Sequence, residues 1–367
     1  MEDLVSTGWM RWRDRPVLVT GHTGFKGSWL VAWLASLGAR VHGYALDPAG
    51  APNLFETARI ASLLESDVRA DLADRGSLDR AFSRHGPEVV FHLAAQSLVG
   101  EGYRDPMRTF ATNVMGTAQV LDVARTTPAV RAVVVITTDK VYANRHGVQP
   151  FRETDPLGGD DPYSASKAAA ELVTSSYRTS FFSRPGSSAT RVATARAGNV
   201  IGGGDWSVDR LVPDCLRAFS RGEPVRLRQP DSIRPWQHVL DPLCGYLALA
   251  ERLLSEEGAR YAEAWNFGPA EESAATVSVV AHAIARLWGC SAQVIEAPDI
   301  KNPPEHALLR IDSSAARAQL GWRPRWPLEV ALEKTVEWHR AWTAGIDMAT
   351  YCRRQISEFE ATATVAA

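Results

Sequence analysis

Three features of the sequence predict an α/β protein: a doubly wound parallel sheet with a smaller C-terminal lobe. Short, almost wholly apolar runs alternate with helical stretches through the first half of the chain. A glycine-punctuated turn joins the first run to the first helix. After Asn199 the alternation gives way to glycines, prolines and tryptophans. Strands that are apolar on both faces belong to a parallel sheet covered by helices on each side. Right-handed crossovers then wind such a sheet in both directions.

The first strand is PVLVTG (Pro16–Gly21), and the helix SWLVAWLASLG (Ser28–Gly38) follows the glycine turn. ARVHGYAL (Ala39–Leu46) reads as the second strand, and a further short strand precedes Asp71. SLDRAFSRHG (Ser77–Gly86) is helical by periodicity. EVVFHLAA (Glu88–Ala95), AVVVITT (Ala132–Thr138) and RVATARAGN (Arg191–Asn199) complete the series of buried strands. FATNVMGTAQVLDVART (Phe110–Thr126) and SASKAAAELVTSSYRTSF (Ser164–Phe181) are the long helices between them. Further helices are expected near Asp241–Leu254, Val277–Trp288 and Leu328–Thr343, and the tail ATATVAA is expected to fray.

The chain has 367 residues, with 40 Lys+Arg against 42 Asp+Glu, 45% hydrophobic and 22% charged residues. That balance excludes a disordered chain, a collagen and a strongly basic nucleic-acid binder. The length suits one large α/β unit or two domains. We divide it into a dinucleotide-binding domain over 14–198, joined again by a later stretch near 236–270, and a second, substrate-binding lobe over 199–360. No apolar run approaches the ~20 residues that cross a bilayer. The amino end has no apolar signal core, so no export is expected. The four cysteines are far apart, without a Cys-x-x-Cys pair. A thiolate metal site is therefore not expected, and a reducing cytoplasm fits. The twelve tryptophans are read mainly as packing residues.

Gly21-His22-Thr23-Gly24-Phe25-Lys26-Gly27 places three glycines, three residues apart, between strand and helix. The first permits a tight turn, the second a close approach to phosphate, and the third close helix–strand packing. A pyrophosphate then meets the free N–H groups at the helix start. This is the dinucleotide site of a Rossmann-type sheet, formed by Gly21, Thr23, Gly24, Phe25, Lys26 and Gly27. Leu93, Ala94, Ala95 and Gln96, ending the third long strand in small residues, suit a flat ring against the backbone. Asp47 either reaches the adenosine ribose or starts a turn, so this feature does not settle NAD against NADP. Asp71, with Leu72, either accepts from the adenine amino group or serves as a helix N-terminal acid. Asn113 is read as a structural residue that binds backbone.

Tyr163 and Lys167 form Tyr-x-x-x-Lys at a helix start, and spacing of four puts both on one face. An ammonium beside a phenol favours the phenolate, so Lys167 is expected to lower the Tyr163 pKa. Such a phenolate takes a proton from an alcohol while hydride leaves the same carbon. Thr137-Thr138-Asp139-Lys140 ends the next-to-last strand at the edge where ligands bind in such sheets. Thr138 can donate to a substrate oxygen. Burial would raise Asp139 toward use as an acid and lower Lys140 toward use as a base.

Together these residues resemble the extended short-chain dehydrogenase/reductase family over roughly Pro16 to Trp342, and within it the CDP-glucose 4,6-dehydratases. The strings that carry the resemblance are GHTGFKGSWL, FHLAAQ, FATNVMGT, TTDKVY, DPLGGDDPYSASKAAAE, ARAGNVIGGGDW, RLVPD and RPWQHVLDPL. The glycine triplet and Tyr-x-x-x-Lys are widespread. The Asp-Lys pair is more specific, because related sugar dehydratases usually have Asp-Glu there.

The resemblance implies a redox-neutral lyase acting on a nucleoside-diphosphate sugar. Tyr163 would remove the C4 hydroxyl proton as hydride passes to NAD. Lys140 would take the C5 proton and Asp139 would protonate the departing C6 hydroxyl, after which hydride returns to C6. Thr138 would orient the sugar, and Lys167 would hold the nicotinamide ribose and Tyr163. Arg210 and Arg234 are the candidate diphosphate forks, with Asn199 and His238 beside them. The resemblance further implies a homodimer through the Phe110–Thr126 and Ser164–Phe181 helices, and no membrane or nucleic-acid partner.

One stretch departs from the pattern. Where these relatives usually have Ala-Ala-Gln-Pro-Leu-Val-Arg-x-Ser-Tyr, this chain has Ala94-Ala95-Gln96-Ser97-Leu98-Val99-Gly100-Glu101-Gly102-Tyr103. A basic residue is lost and two glycines are expected to loosen a loop beside the sugar. Val141 also replaces the usual Cys. The alternatives are another nucleotide-sugar enzyme on this scaffold, such as an epimerase or a dehydratase of a different sugar, and a non-catalytic dinucleotide sensor.

Overall fold

The computed structural model describes residues 9–143, 149–184, 189–270, 273–297 and 309–365. Seven parallel strands form the central sheet: β1 (Pro16–Thr20), β2 (Arg40–Ala45), β3 (Ser66–Arg69), β4 (Val89–His92), β5 (Ala132–Ile136), β6 (Arg191–Arg196) and β7 (Ala264–Asn266). Their spatial order is β7-β6-β5-β4-β1-β2-β3. Six of the seven thus follow the doubly wound dinucleotide-binding order, whose ligand crevice opens where the winding reverses, between β1 and β4. β7 comes from the stretch after residue 236 and pairs with β6, Ala264 opposite Thr194.

Besides the single turn Leu54–Thr57, the α-helices among the described residues are α1 (Phe25–Ser36), α2 (Arg75–His85), α3 (Val99–Arg104), α4 (Pro106–Phe110), α5 (Gly116–Thr126), α6 (Pro162–Tyr177), α7 (Leu211–Ser220), α8 (Leu240–Leu254), α9 (Val277–Trp288), α10 (Leu328–Thr343) and α11 (Met348–Val365). Alternation along each strand separates two cores. In β1, Val17 and Val19 join the cluster under α1 and α8, with Trp29, Trp33 and Leu247. Leu18 faces the other way, into a cluster with Phe82 of α2 and Val120 and Leu121 of α5. A third cluster holds the second lobe, from Val212 and Leu216 of α7, Val280 and Ile284 of α9, and Leu332 and Val336 of α10.

Local sequence signals account for the boundaries. Asp74 caps α2 through the Ser77 N–H, and Gly86 ends it at φ 52° in the left-handed region. Asp161 caps α6 through the Ser164 N–H, with Pro162 in the first turn where it loses no hydrogen bond. α1 begins at Phe25, inside the glycine turn, because Gly24 itself is its N-cap.

Three expectations are corrected. The Gly100–Gly102 stretch is not a loosened loop but part of α3, and buried Gly102 packs against the start of α6. The long helix before β5 carries a π turn, Ala111–Met115, between α4 and α5. The carboxyl end, expected to fray from residue 361, continues as a helix that packs on α1 as well as on α10. α11 runs into the ATATVAA tail through Val365, with Tyr351, Ile356 and Phe359 in the α1 core. Trp33 donates to Glu360 at 2.8 Å, and Trp326 to Thr362 at 3.2 Å.

Candidate active site

The glycine turn lies where β1 meets α1. Gly21 has φ 75°, and a Cβ there would stand 2.6 Å from the Ala94 nitrogen, so the turn rests on the backbone leaving β4. A Cβ on Gly27 would overlap the Gly21 carbonyl, which is why helix and strand approach so closely. Gly24 has only the Gly21 carbonyl oxygen near its Cβ position, at 3.4 Å, and caps α1 without a side-chain hydrogen bond. The helix start therefore offers backbone donors and a positive dipole end beside a smooth turn, and this fits a pyrophosphate. Thr23 donates to the Leu46 carbonyl at 3.0 Å, tying the turn to the end of β2. Leu93, Ala94, Ala95 and Gln96 continue this floor, half-buried.

Gln96 is locked by Asn113. Its N–H donates to the Asn113 side chain at 2.8 Å, and the Asn113 amide donates back to its carbonyl at 2.9 Å and to Ser166 of α6 at 2.8 Å. Asn113 sits in the π turn, so that distortion links the floor of the dinucleotide site to the Tyr163 helix. Beyond the end of β2, Asp47 is exposed and faces Arg69 at 3.4 Å. Asp71 is exposed and accepts from the Ala73 N–H at 2.9 Å; the acid that caps the following helix is Asp74. Leu72 is buried against Gly116.

The turn after β5 brings the reactive side chains together. Thr138 donates to Asp139 at 3.0 Å, and the Asn199 amide donates to the other carboxyl oxygen at 3.2 Å. Tyr163 arrives from the first turn of α6, close enough for the Thr138 hydroxyl and the Asp139 carboxyl to act on its phenol. Asp139 is 1% exposed, and burial raises its pKa against the pull of Lys140, Thr138, Lys26 and Arg234. Lys140 follows, half-buried.

Tyr163 departs from the expectation of a lowered pKa. Burial pushes its phenol up to about 12, and the neighbouring Thr138 hydroxyl and Arg210 charge only partly oppose this. Lys167 does share its helix face, but its ammonium donates to the Ile136 carbonyl at 2.9 Å. Burial lowers Lys167 to about 8 against the charge of Glu171. Lys26 is brought down to about 7, by burial and then by Arg210, with Lys167 adding to the effect.

The second lobe supplies two arginines to this end of the sheet. Arg210, the residue before α7, pairs with Asp205 at 3.2 Å, and its charge reaches both Lys26 and Tyr163. Arg234 is buried, donates to the Ile233 carbonyl at 2.9 Å, and its charge reaches Asp139. With Lys26 and Lys140 they make a cationic surround that suits a diphosphate. Two other residues stand elsewhere than expected. Asn199, at φ 47°, turns its amide to Asp139. His238 is fully buried in the core, between Trp29 and Trp326, with ring centroids 6.4 and 4.7 Å away, and burial lowers it to about 3. It packs; it cannot meet a diphosphate.

Sequence reasoning missed Gly198 and the buried pair Glu171–Arg196. A side chain at Gly198 would overlap the Asp139 carboxylate. Its signal was its place within ARAGN, at the end of the same strand run as Arg196.

The profile of the GDP-mannose 4,6 dehydratase family matches residues 18–335, from β1 into α10 and across every residue of this site. The chain belongs to this family. Among 4,6-dehydratases, it is 48% identical to the CDP-glucose 4,6-dehydratase of Salmonella typhimurium over 356 residues, covering 96% of this chain and 98% of that one. It is 30% identical to the dTDP-glucose 4,6-dehydratase of Neisseria meningitidis serogroup B, covering 89% of this chain and 93% of that one. Among solved structures, the UDP-glucose 4-epimerase of Thermus thermophilus in complex with NAD aligns with TM-score 0.72 at 27% identity, over 88% of this chain and 98% of that one. MoeE5 in complex with UDP-glucose and NAD aligns with TM-score 0.74 at 25% identity, over 89% and 99%.

Proposed function

We propose that the chain is an NAD-dependent CDP-glucose 4,6-dehydratase, a hydro-lyase that yields CDP-4-keto-6-deoxyglucose. The convergence of Tyr163, Thr138 and Asp139 on one buried turn carries the reading, and the 48% identity to a CDP-glucose 4,6-dehydratase supports the substrate. NAD would be held by Gly21, Thr23, Gly24, Phe25, Lys26 and Gly27, with Asp71, Leu72 and Leu93–Gln96 beneath it. When bound, it supplies the acceptor and then the donor of one hydride.

Tyr163 takes the C4 hydroxyl proton, while Thr138 orients that oxygen. The C4 ketone so formed acidifies C5. Lys140 removes the C5 proton, and Asp139 gives its own to the leaving C6 hydroxyl, so that water departs; return of the hydride to C6 and of a proton from Lys140 to C5 would complete the product. Burial keeps the Asp139 proton available further toward neutral pH than an exposed carboxyl would. Lys167 shares a helix face with Tyr163, and Arg210 and Arg234 carry the diphosphate, with Asn199 holding Asp139 in line. An epimerase has no use for an acid–amine pair at C5 and C6.

Incubation with CDP-glucose and NAD should produce a 4-keto sugar, seen as absorbance that develops in alkali. No such product with any nucleoside-diphosphate glucose would overturn the reading. Retention of the C6 hydroxyl in the product would give the epimerase alternative instead.

The protein acts as a homodimer in this reading. Met107 of α4, Met115 of the π turn and Leu172 of α6 are 77%, 59% and 60% exposed, and together they favour a partner's matching face. Among the described residues no helix is long and apolar enough to cross a membrane. The four free cysteines suit a reducing cytoplasm.

A further inference from the structure

We propose that the buried ion pair Glu171–Arg196 is a positioning clamp that sets the geometry of Asp139 against Tyr163 from behind. Each side chain is 3% exposed, and they meet through two bonds, Arg196 Nε to Glu171 Oε1 at 3.0 Å and Nη2 to Oε2 at 2.9 Å. Every segment that bears a reactive group is tied to this pair.

Glu171 lies four residues after Lys167 and eight after Tyr163, on the inward face of α6. It accepts from Thr137, the residue before Thr138, at 2.5 Å, and from Thr194 of β6 at 2.7 Å. Arg196 donates to the Tyr142 hydroxyl at 2.9 Å, and Tyr142 donates to Asn266 of β7 at 2.6 Å. The turn Thr138-Asp139-Lys140 is thus gripped on both sides, at Thr137 and at Tyr142. Arg196 also stands two residues before Gly198, the position that must be bare for Asp139 to fit.

An ion pair in the interior stabilises weakly, because desolvation offsets most of the attraction, whereas its geometry is exacting. Burial raises Glu171, and Arg196, Thr137 and Thr194 more than reverse this, so the carboxylate stays charged. A fully satisfied charged network at this place fixes relative position. It also sets a charge beneath Lys167, which faces Lys26 from α1 and His92 from β4 as well.

The test uses Thr137→Val and Tyr142→Phe, which keep shape and remove single hydroxyls, alongside Arg196→Lys and Glu171→Gln. Kinetics rest on the dehydratase reading. There, kcat for CDP-glucose should fall on the order of tenfold to a hundredfold with KM little changed, as for a displaced reacting group. In Glu171→Gln the alkaline limb of the kcat profile should move to lower pH, since burial of Lys167 is then unopposed. Amide hydrogen exchange needs no substrate. Exchange in Thr138–Val141 and in the first turns of α6 should quicken in Thr137→Val and Tyr142→Phe while the melting transition stays cooperative. Wild-type protein inert toward CDP-glucose would count against the substrate only, and exchange would still decide the clamp. Unchanged exchange in both hydroxyl variants, or unchanged kcat and pH profile in active ones, would overturn it.

Discussion

The Asp139 carboxyl occupies the space that a side chain on Gly198 would need. The glycine is required here by proximity, since any Cβ would overlap the carboxylate. Gly198→Ala should therefore displace Asp139 and lower kcat by about a hundredfold, the scale for a misplacement of about 1 Å. Initial rates of keto-sugar formation with circular dichroism as the folding control check this; a variant with native rates would contradict the role given to Asp139.

Lys26 and Lys167 make stability depend on pH with an unusual sign. Burial holds them at about 7 and about 8 in the folded protein, from 10.5 when free. Between those folded values and 10.5, the unfolded chain binds more protons than the folded one. The free energy of unfolding therefore rises with pH across that window, and is lower below it, where the folded state must keep both charges. Replacing Lys26 by Met should flatten this rise. The shift in urea midpoint between about pH 7 and about pH 9 should be smaller in Lys26→Met than in wild type, and an equal shift would refute it.

The two glycines of α3 should respond differently. A Cβ on Gly102 would lie 3.1 Å from the Tyr163 nitrogen and 3.3 Å from its Cβ, so the start of α6 must shift. Gly102→Ala should cost about tenfold in kcat. A Cβ on Gly100 meets only Asp209 Oδ2, at 3.8 Å, so Gly100→Arg fits and gains a carboxylate neighbour. Its kcat should stay within about twofold, as for a surface change. Equal losses in both variants would show that crowding of Tyr163 is not the cause.

Leu172→Glu should break the proposed dimer. A carboxylate on this 60% exposed position of α6 would be buried unpaired against the partner face. Light scattering should read a dimer for wild type and a monomer for the variant at micromolar concentration. Identical masses would move the interface elsewhere.

Much of this was legible from residue order. β1, the glycine turn and α1 announce themselves through PVLVTG and three evenly spaced glycines. The β5 edge does so through four polar residues after an apolar run. Two glycines within six residues, by contrast, disguise α3 as a loop, because its helicity comes from packing Gly102 on Tyr163 rather than from propensity. Spacing puts Lys167 and Tyr163 on one helix face but could not reveal that the ammonium bonds the Ile136 carbonyl, nor that burial would dominate the phenol. His238 looked like a ligand because a histidine near arginines suggests an anion, yet two tryptophans distant in sequence enclose it. Glu171 and Arg196 lie 25 residues apart and show no pattern until α6 and β6 are packed together.

The embrace of α1 by α11 has a temporal consequence. Trp33 and Glu360 are 327 residues apart, so once α1 has left the ribosome a further 327 residues must follow before its indole meets this partner. During synthesis that apolar flank is on offer to chaperones, and trimming the last two turns should leave a newborn protein sticky long before it is seen to be inactive.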